Sequence, residues 1–134
     1  MVLKTKMLQR FVGGQMEIQN ELEGHLYRGE VESIKVEGGK LHVRFAWLAK
    51  GEGFPPLPKK WVKSGQLDYL ASLEIYSVNN IGPGTEGGDR LCLRSLIIGE
   101  LAVLFPPDGS KLDPAKVEGL QIAQPQPVLS PERV

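Results

Sequence analysis

The side chains best suited to hold a transition metal in this chain are His25, His42 and Cys92. Metal sites need imidazoles, thiolates or carboxylates at converging positions. These three are scattered, with neither a CxxC nor an HxxxH pair, so neither a metal nor a cofactor is expected. Nucleophilic catalysis needs a nucleophile, a base and a group that orients the base. The sequence has no GxSxG elbow, and no Ser, His and acid stand together. Glu30 and Glu32 fall on one face of a strand, as the paired carboxylates of a glycosidase flank their substrate; alternating acids more simply mark a solvated surface. The run GPGTEGG, residues 82–88, lacks the lysine and following Ser/Thr of a phosphate-binding loop. No catalytic residue is assigned, and a protein that is not an enzyme is expected. A single cysteine allows no intrachain disulfide, and Cys92 in its apolar run reads as a buried, inert thiol.

Binding chemistry is better represented. The stretch Trp47 to Trp61, WLAKGEGFPPLPKKW, holds both tryptophans of the chain. Lys50, Lys59, Lys60 and Lys63 against the single Glu52 give residues 50–63 a formal charge of +3. Lysines attract phosphates and carboxylates, and the rings of Phe54 and Trp61 can stack on bases. Arg28 and Arg44, on neighbouring strands of a hairpin, would extend the patch. The candidate partner-binding site is therefore Lys50, Phe54, Lys59, Lys60, Trp61 and Lys63, and its partner is a protein or a single-stranded nucleic acid. Pro55 and Pro58 form a PxxP followed by two lysines, which resembles a polyproline II ligand of SH3 or WW domains. Inside a folded domain that backbone is expected to be committed already, with the lysines keeping the loop in water.

These residues must be positioned by strands. After Gly38-Gly39, Leu41, Val43, Phe45, Trp47 and Ala49 alternate with His42, Arg44, Ala46 and Leu48, the period of a half-buried strand. That pattern puts Trp47 in the core and leaves Trp61 partly exposed. Tyr27, Val31, Ile34 and Val36 supply a preceding strand whose parity changes between Val31 and Ile34, so a bulge is expected near Glu32-Ser33. The two glycines make the tight turn between the strands. A second hairpin is expected with arms 90–98 and 101–105 and Gly99-Glu100 as a two-residue turn, ended by Pro106-Pro107-Asp108-Gly109. Met16 and Ile18 mark a short strand at 15–19. Residues 66–71 read as a turn or short helix, followed by a strand from Leu73. Residues 79–89 form a long glycine-rich loop, and Asp113-Pro114 through Gly119 reads as a one-turn helix with its cap and stop.

The whole chain then reads as all-β: a small antiparallel barrel or a compact β-sandwich with at most one or two short helices. The long bent hairpin, a loop and three further strands resemble an SH3-like barrel in strand lengths and order. Residues 1–12 are expected as an N-terminal arm, 13–109 as the β domain and 110–134 as a proline-containing extension that could dock through Val128 and Leu129. The arm is basic, with Leu3, Met7 and Phe11 recurring every four residues, and it lacks the apolar core of a secretory signal. The longest apolar stretch, Leu91 to Phe105, is interrupted by Arg94, Gly99 and Glu100 and is too short to cross a bilayer. A cytoplasmic protein with no membrane contact is expected. The 16 basic residues balance the 16 acidic ones, which argues against a protein built to coat DNA. Such balance gives little self-repulsion, so association with copies of itself is also compatible. The function expected is a non-catalytic binding module; a structural subunit of an assembly and an enzyme whose site is assembled only in space are the alternatives.

Overall fold

Gly38 and Gly39 both adopt positive φ, +59° and +73°, between two thirteen-residue strands, β2 (His25–Glu37) and β3 (Lys40–Glu52). Positive φ at both central residues is what a two-residue hairpin turn requires, and Glu37 pairs with Lys40 across it. The other strands are β1 (Gln15–Asn20), β4 (Lys60–Lys63), β5 (Asp68–Ala71), β6 (Glu74–Asn80), β7 (Asp89–Ser95), β8 (Glu100–Phe105) and β9 (Val117–Glu118). This computed structural model describes residues 4–20, 24–52, 58–80, 89–95, 99–107 and 112–120. The nine strands form one sheet in the order β6-β7-β8-β1-β2-β3-β4-β9, with β5 paired to the turn-proximal half of β3. All pairs are antiparallel except β4 with β9. The all-β expectation holds. Among the described residues no pairing returns β5 or β9 to β6, so the sheet is not closed into a hydrogen-bonded barrel.

The bulge expected in the first hairpin is present, and it has a counterpart on the facing strand. Glu30 pairs with Trp47, Val31 with Phe45 and Ser33 with Arg44, so Ala46 and Glu32 are each passed over. One extra residue moves every following side chain to the other face. Leu41, Val43 and Phe45 accordingly lie in the main core, but Trp47 and Ala49 do not share their face. Leu48 takes the place in the main core, and Trp47 and Ala49 join a second cluster with Val117. The uninterrupted alternation from Leu41 to Ala49 is thus corrected: Trp47 is buried, but on the opposite side of the sheet.

The sheet curls strongly enough that distant strands share one core. Met16 and Ile18 of β1, Val31 and Ile34 of β2, Leu91 and Leu93 of β7, Ala102 and Leu104 of β8, and Ala71 and Leu73 at the end of β5 belong to a single cluster. The N-terminal arm docks into it. Leu8 of the helix α1 (Thr5–Leu8) and Phe11 of the following 3-10 turn are fully buried. The arm also covers a backbone edge. Past Glu30, β2 loses β1 as a neighbour, and the Val36 N–H and C=O are met by the Thr5 hydroxyl at 2.8 and 3.1 Å. Gln9 donates to the Ile34 carbonyl, while Gly13 and Gly14 exchange hydrogen bonds with Val31. Buried backbone groups need such partners, which explains why a basic N-terminal segment is ordered here.

Two further expectations are corrected. Residues 68–71 are a strand rather than a turn or short helix, because Asp68 to Ala71 pair with Arg44 to Leu41 and bury Ala71. The second hairpin pairs Ser95 with Glu100, so residues 96–99 connect its strands instead of Gly99-Glu100 alone. The far end of its expected first arm, 96–98, lies outside the described residues, as do 81–88 of the glycine-rich loop and the 121–134 segment.

The approach of β2 to β3 at the bulge sets a sharp steric limit. A Cβ at Gly29 would collide with the Trp47 carbonyl oxygen and stand 2.9 Å from Leu48 Cδ1, whereas one at Gly65 meets nothing within 4 Å. Gly29→Ala should therefore lower the unfolding free energy by more than about 2 kcal/mol, a loss reserved for overpacking and similar faults. Gly65→Ala should be neutral or add up to about 1 kcal/mol through the unfolded chain. Urea denaturation of the two variants checks both; equal stabilities would contradict the close approach.

Candidate functional site

The stretch that carried the binding expectation folds back on itself. β4 pairs with the distal half of β3, setting Lys60 opposite Glu52, Trp61 opposite Gly51, Val62 opposite Lys50 and Lys63 opposite Ala49. Gly51 is required where it stands. A Cβ there would be 2.5 Å from Pro58 Cγ and 3.4 Å from Trp61 Cζ3, so proline and indole lie over the bare backbone. The Lys59 N–H donates to the Glu52 carbonyl at 2.7 Å and closes the loop. An aromatic packed on a cross-strand glycine replaces the contact that glycine cannot make.

Strand alternation then divides the candidate residues between two faces. Trp61 and Lys63 lie on the face of Trp47, Ala49 and Val117, where Trp61, Leu112 and Leu120 pack as partly buried neighbours. Lys50 and Lys60 lie on the opposite face, and Lys59 is exposed just before the strand. Lys60 sits between Glu52 and Glu118, at 3.7 and 3.6 Å. Lys50, Lys59 and Lys63 have no carboxylate partner among the described residues. Phe54, and with it most of the PxxP segment, lies outside the described residues.

Neither arginine extends this patch. Arg44 pairs with Asp68 at 2.8 Å in the other half of β3. Arg28 lies 3.8 Å from Glu17, and its guanidinium covers the Phe105 ring at 4.5 Å. Arg90 approaches the same ring at 5.1 Å. Burial holds the Arg28 pKa below its ordinary value; Glu17 opposes that and Arg90 reinforces it.

The C-terminal segment holds the Trp face in place. The Gln15 side chain, buried, donates to the Leu112 carbonyl at 3.0 Å and accepts from the Leu112 N–H at 2.8 Å. The Asp113 carboxylate accepts from the Ala115 N–H, capping the 3-10 turn Pro114–Lys116 that leads into β9. The expected one-turn helix with its cap is present in this form. The two tryptophans thus share one cluster and differ in depth: Trp47 is buried and Trp61 half-buried.

A second feature was not legible in the sequence. One residue beyond Lys63 the chain crosses to the inner face, where Ser64, Gln66, Asp68 and Tyr69 join Ile18, Asn20, Tyr27, Leu48 and Glu100 around a cavity of about 150 Å³. Ile18 and Leu48 are its apolar wall. The Tyr69 hydroxyl donates to the Glu100 carboxylate across it, joining β5 to β8. Burial, then the Glu100 hydrogen bond and charge, push the Tyr69 pKa well above the usual phenol value. The Ser64 hydroxyl accepts from the Gln66 N–H, and the Gln66 amide donates to the Asp68 carbonyl. Glu100 has no cationic partner among the described residues. Among those residues no three metal-ligating side chains converge, and no helix is long and apolar enough to cross a membrane. The only signal for this site in the sequence was the alternation of Asp68, Tyr69, Leu70 and Ala71, which is too short to separate strand from helix.

No protein-family model, curated protein or solved structure matches this chain.

Tyr69 gives the fold a defined alkaline limb. Its neutral form is favoured in the folded state, while unfolded tyrosine ionises near pH 10. The stabilisation is therefore complete below about pH 10 and falls as pH rises beyond it, with a limiting slope of about 1.4 kcal/mol per pH unit. Chemical denaturation between pH 8 and 11.5 should show that fall in the wild type. Tyr69→Phe should be less stable at pH 8 and flatter above pH 10; an unchanged slope would contradict the role given to Tyr69.

Proposed function

We propose that the protein is a non-catalytic binding module that engages an acidic segment of a partner protein through the β3–β4 hairpin. The observation that carries it is Lys59 and Lys63 beside the half-buried Trp61, with Lys50 on the other face of the same hairpin, three ammonium groups without a carboxylate partner among the described residues. A hairpin braced by Pro58 and Trp61 on Gly51 presents them with little ordering left to do on binding. Single-stranded nucleic acid is less well served. Its binding combines a continuous basic track with open aromatic faces, whereas here the lysines are divided between two faces. Trp61 packs with Trp47 and Val117, and Glu52 and Glu118 interrupt the track. Carboxylates spaced along a protein segment suit that mixed surface better. We take the module to be cytoplasmic and comparable to an SH3-like barrel in its use of strand-borne loops.

Assembly is the second reading, favoured by the open edge of the sheet. β6 pairs with β7 on one side only among the described residues, and an edge of seven residues is a template for strand addition from another chain. A sedimentation series checks it: a mass that rises with concentration supports self-assembly, and a strict monomer removes it.

For the hairpin, a glutamate-rich peptide and an oligothymidylate should be titrated against the chain while tryptophan fluorescence is read. The peptide should bind more tightly, and its affinity should fall severalfold between 50 and 300 mM salt, as screening of exposed charges demands. Lys59→Glu with Lys63→Glu should weaken it at least tenfold, and Lys60→Gln much less. Tighter binding of the oligonucleotide would transfer the site to nucleic acid, and salt-independent binding would remove the electrostatic basis altogether.

A further inference from the structure

The cavity beneath the hairpin has a polarity opposite to the hairpin itself. Among the described residues its lining includes Glu100, Asp68 and two tyrosines but no lysine or arginine. Asp68 is committed to Arg44. Glu100 is half-buried and accepts from the Tyr69 hydroxyl, with no cationic partner among the described residues. That bond holds the carboxylate at a half-buried position, where solvent reaches it less than at the open surface. Such a carboxylate stabilises a positive charge brought to it more than a surface carboxylate does. Aromatic faces favour the same guest, since the negative face of a tyrosine ring attracts organic ammonium groups by about 0.5–2 kcal/mol each. Ile18 and Leu48, also in the lining, provide apolar surface for the methylenes that carry such a group.

Size narrows the guest further. Sites for whole small molecules occupy about 300–1,000 Å³, and this cavity holds about 150 Å³. That is room for about five waters at their liquid volume, or for the end of a side chain, and too little for a nucleotide or a ring cofactor. We infer that the cavity between Tyr27, Tyr69 and Glu100 is a receptor for a primary or methylated alkylammonium group, supplied by a lysine side chain of a polypeptide or by a small free amine. The site is independent of the acidic-segment reading of the hairpin. Its walls belong to β1, β2, β3, β5 and β8, so the pocket is framed by paired backbone. Lys50 stands at its rim, directly across from Tyr27, without lining it and without a carboxylate partner among the described residues. It repels a cationic guest by one charge.

The test uses n-butylammonium and its neutral counterpart n-butanol, titrated into the isotopically labelled full chain and followed by NMR. Butylammonium should shift the Ile18, Tyr27, Leu48 and Tyr69 signals saturably, and butanol should bind at least tenfold more weakly. Equal binding of the two would overturn the proposal without recourse to any variant. Glu100→Gln, which keeps an acceptor for the Tyr69 hydroxyl, should weaken butylammonium at least tenfold while leaving butanol unchanged. Lys50→Met should tighten butylammonium severalfold. Discrimination left unchanged by Glu100→Gln would also overturn it. A glycine-serine peptide with one central lysine, compared with its norleucine analogue, separates the sources. A lysine peptide that binds more tightly than butylammonium assigns the site to a polypeptide, and the reverse order assigns it to a free amine. If neither the amine nor the peptide binds, the inference fails. Because hairpin variants Lys59→Glu and Lys63→Glu should leave butylammonium affinity unchanged, failure here is distinguishable from failure of the hairpin site.

Discussion

A pleated strand has two faces, and a single extra residue exchanges them; the organisation of this protein depends on where that exchange occurs. The offsets at Glu32 and Ala46 let one hairpin serve two apolar clusters. On the turn-proximal half, Leu41, Val43 and Phe45 face the main core. On the distal half Leu48 continues that core, while Trp47 and Ala49 face away from it. Without the offset, Trp47 would point into a core already filled by Phe45, Met16 and Leu104, and the distal half would present Leu48 to the other side. Bulges also increase local twist and bend, which fits the curl that brings Leu73 and Leu93 into one cluster.

A sheet with apolar residues on both faces must cover both, and the chain does so with its two ends. The N-terminal arm inserts Leu8 and Phe11 into the inner face and closes the free edge of β2 through Thr5 and Gln9. The segment 112–120 lies against the Trp47 face, fastened by Gln15 and by the parallel pairing of β9 with β4. Elsewhere on that outer face the guanidinium groups of Arg28 and Arg90 lie over the Phe105 ring. Arginine suits this position, because its planar, weakly hydrated head can lie on a ring while tolerating partial burial.

Much of this was readable from residue types, and the failures have specific causes. Gly38-Gly39, the alternation on either side of it and the parity change near Glu32 identify the hairpin and its bulge, since turn chemistry and period two act locally. The second bulge, at Ala46, left no mark, because Trp47, Leu48 and Ala49 are all apolar and read equally well in either register. Residues 68–71 looked like a turn or helix because a strand of four residues shows too little of its period; pairing with β3 decided the outcome. The lysines stand together in sequence, but strand alternation in β3 and β4 sends Lys50 and Lys60 to one face and Trp61 and Lys63 to the other. The cavity was invisible for a different reason. Its lining comes from five strands and a linker, and Tyr69 and Glu100 are 31 residues apart.

The net charge of zero takes on a different meaning once the charges are placed. It is not an even scatter. Among the described residues, the β3–β4 hairpin carries lysines without a carboxylate partner, and the cavity on the inner face carries a carboxylate without a cationic one. The two lie within one strand-turn of each other, since Lys63 faces out and Ser64 faces in. Lys50 of β3 and Glu100 of β8 have β2 and β1 between their strands in the sheet and do not pair with each other. An unpaired, partly desolvated charge is tolerated at a cost to stability, and sites that bind are where such costs are retained. On the two readings proposed above, the hairpin and the hollow are separate sites of opposite sign, and each disfavours a guest of its own charge.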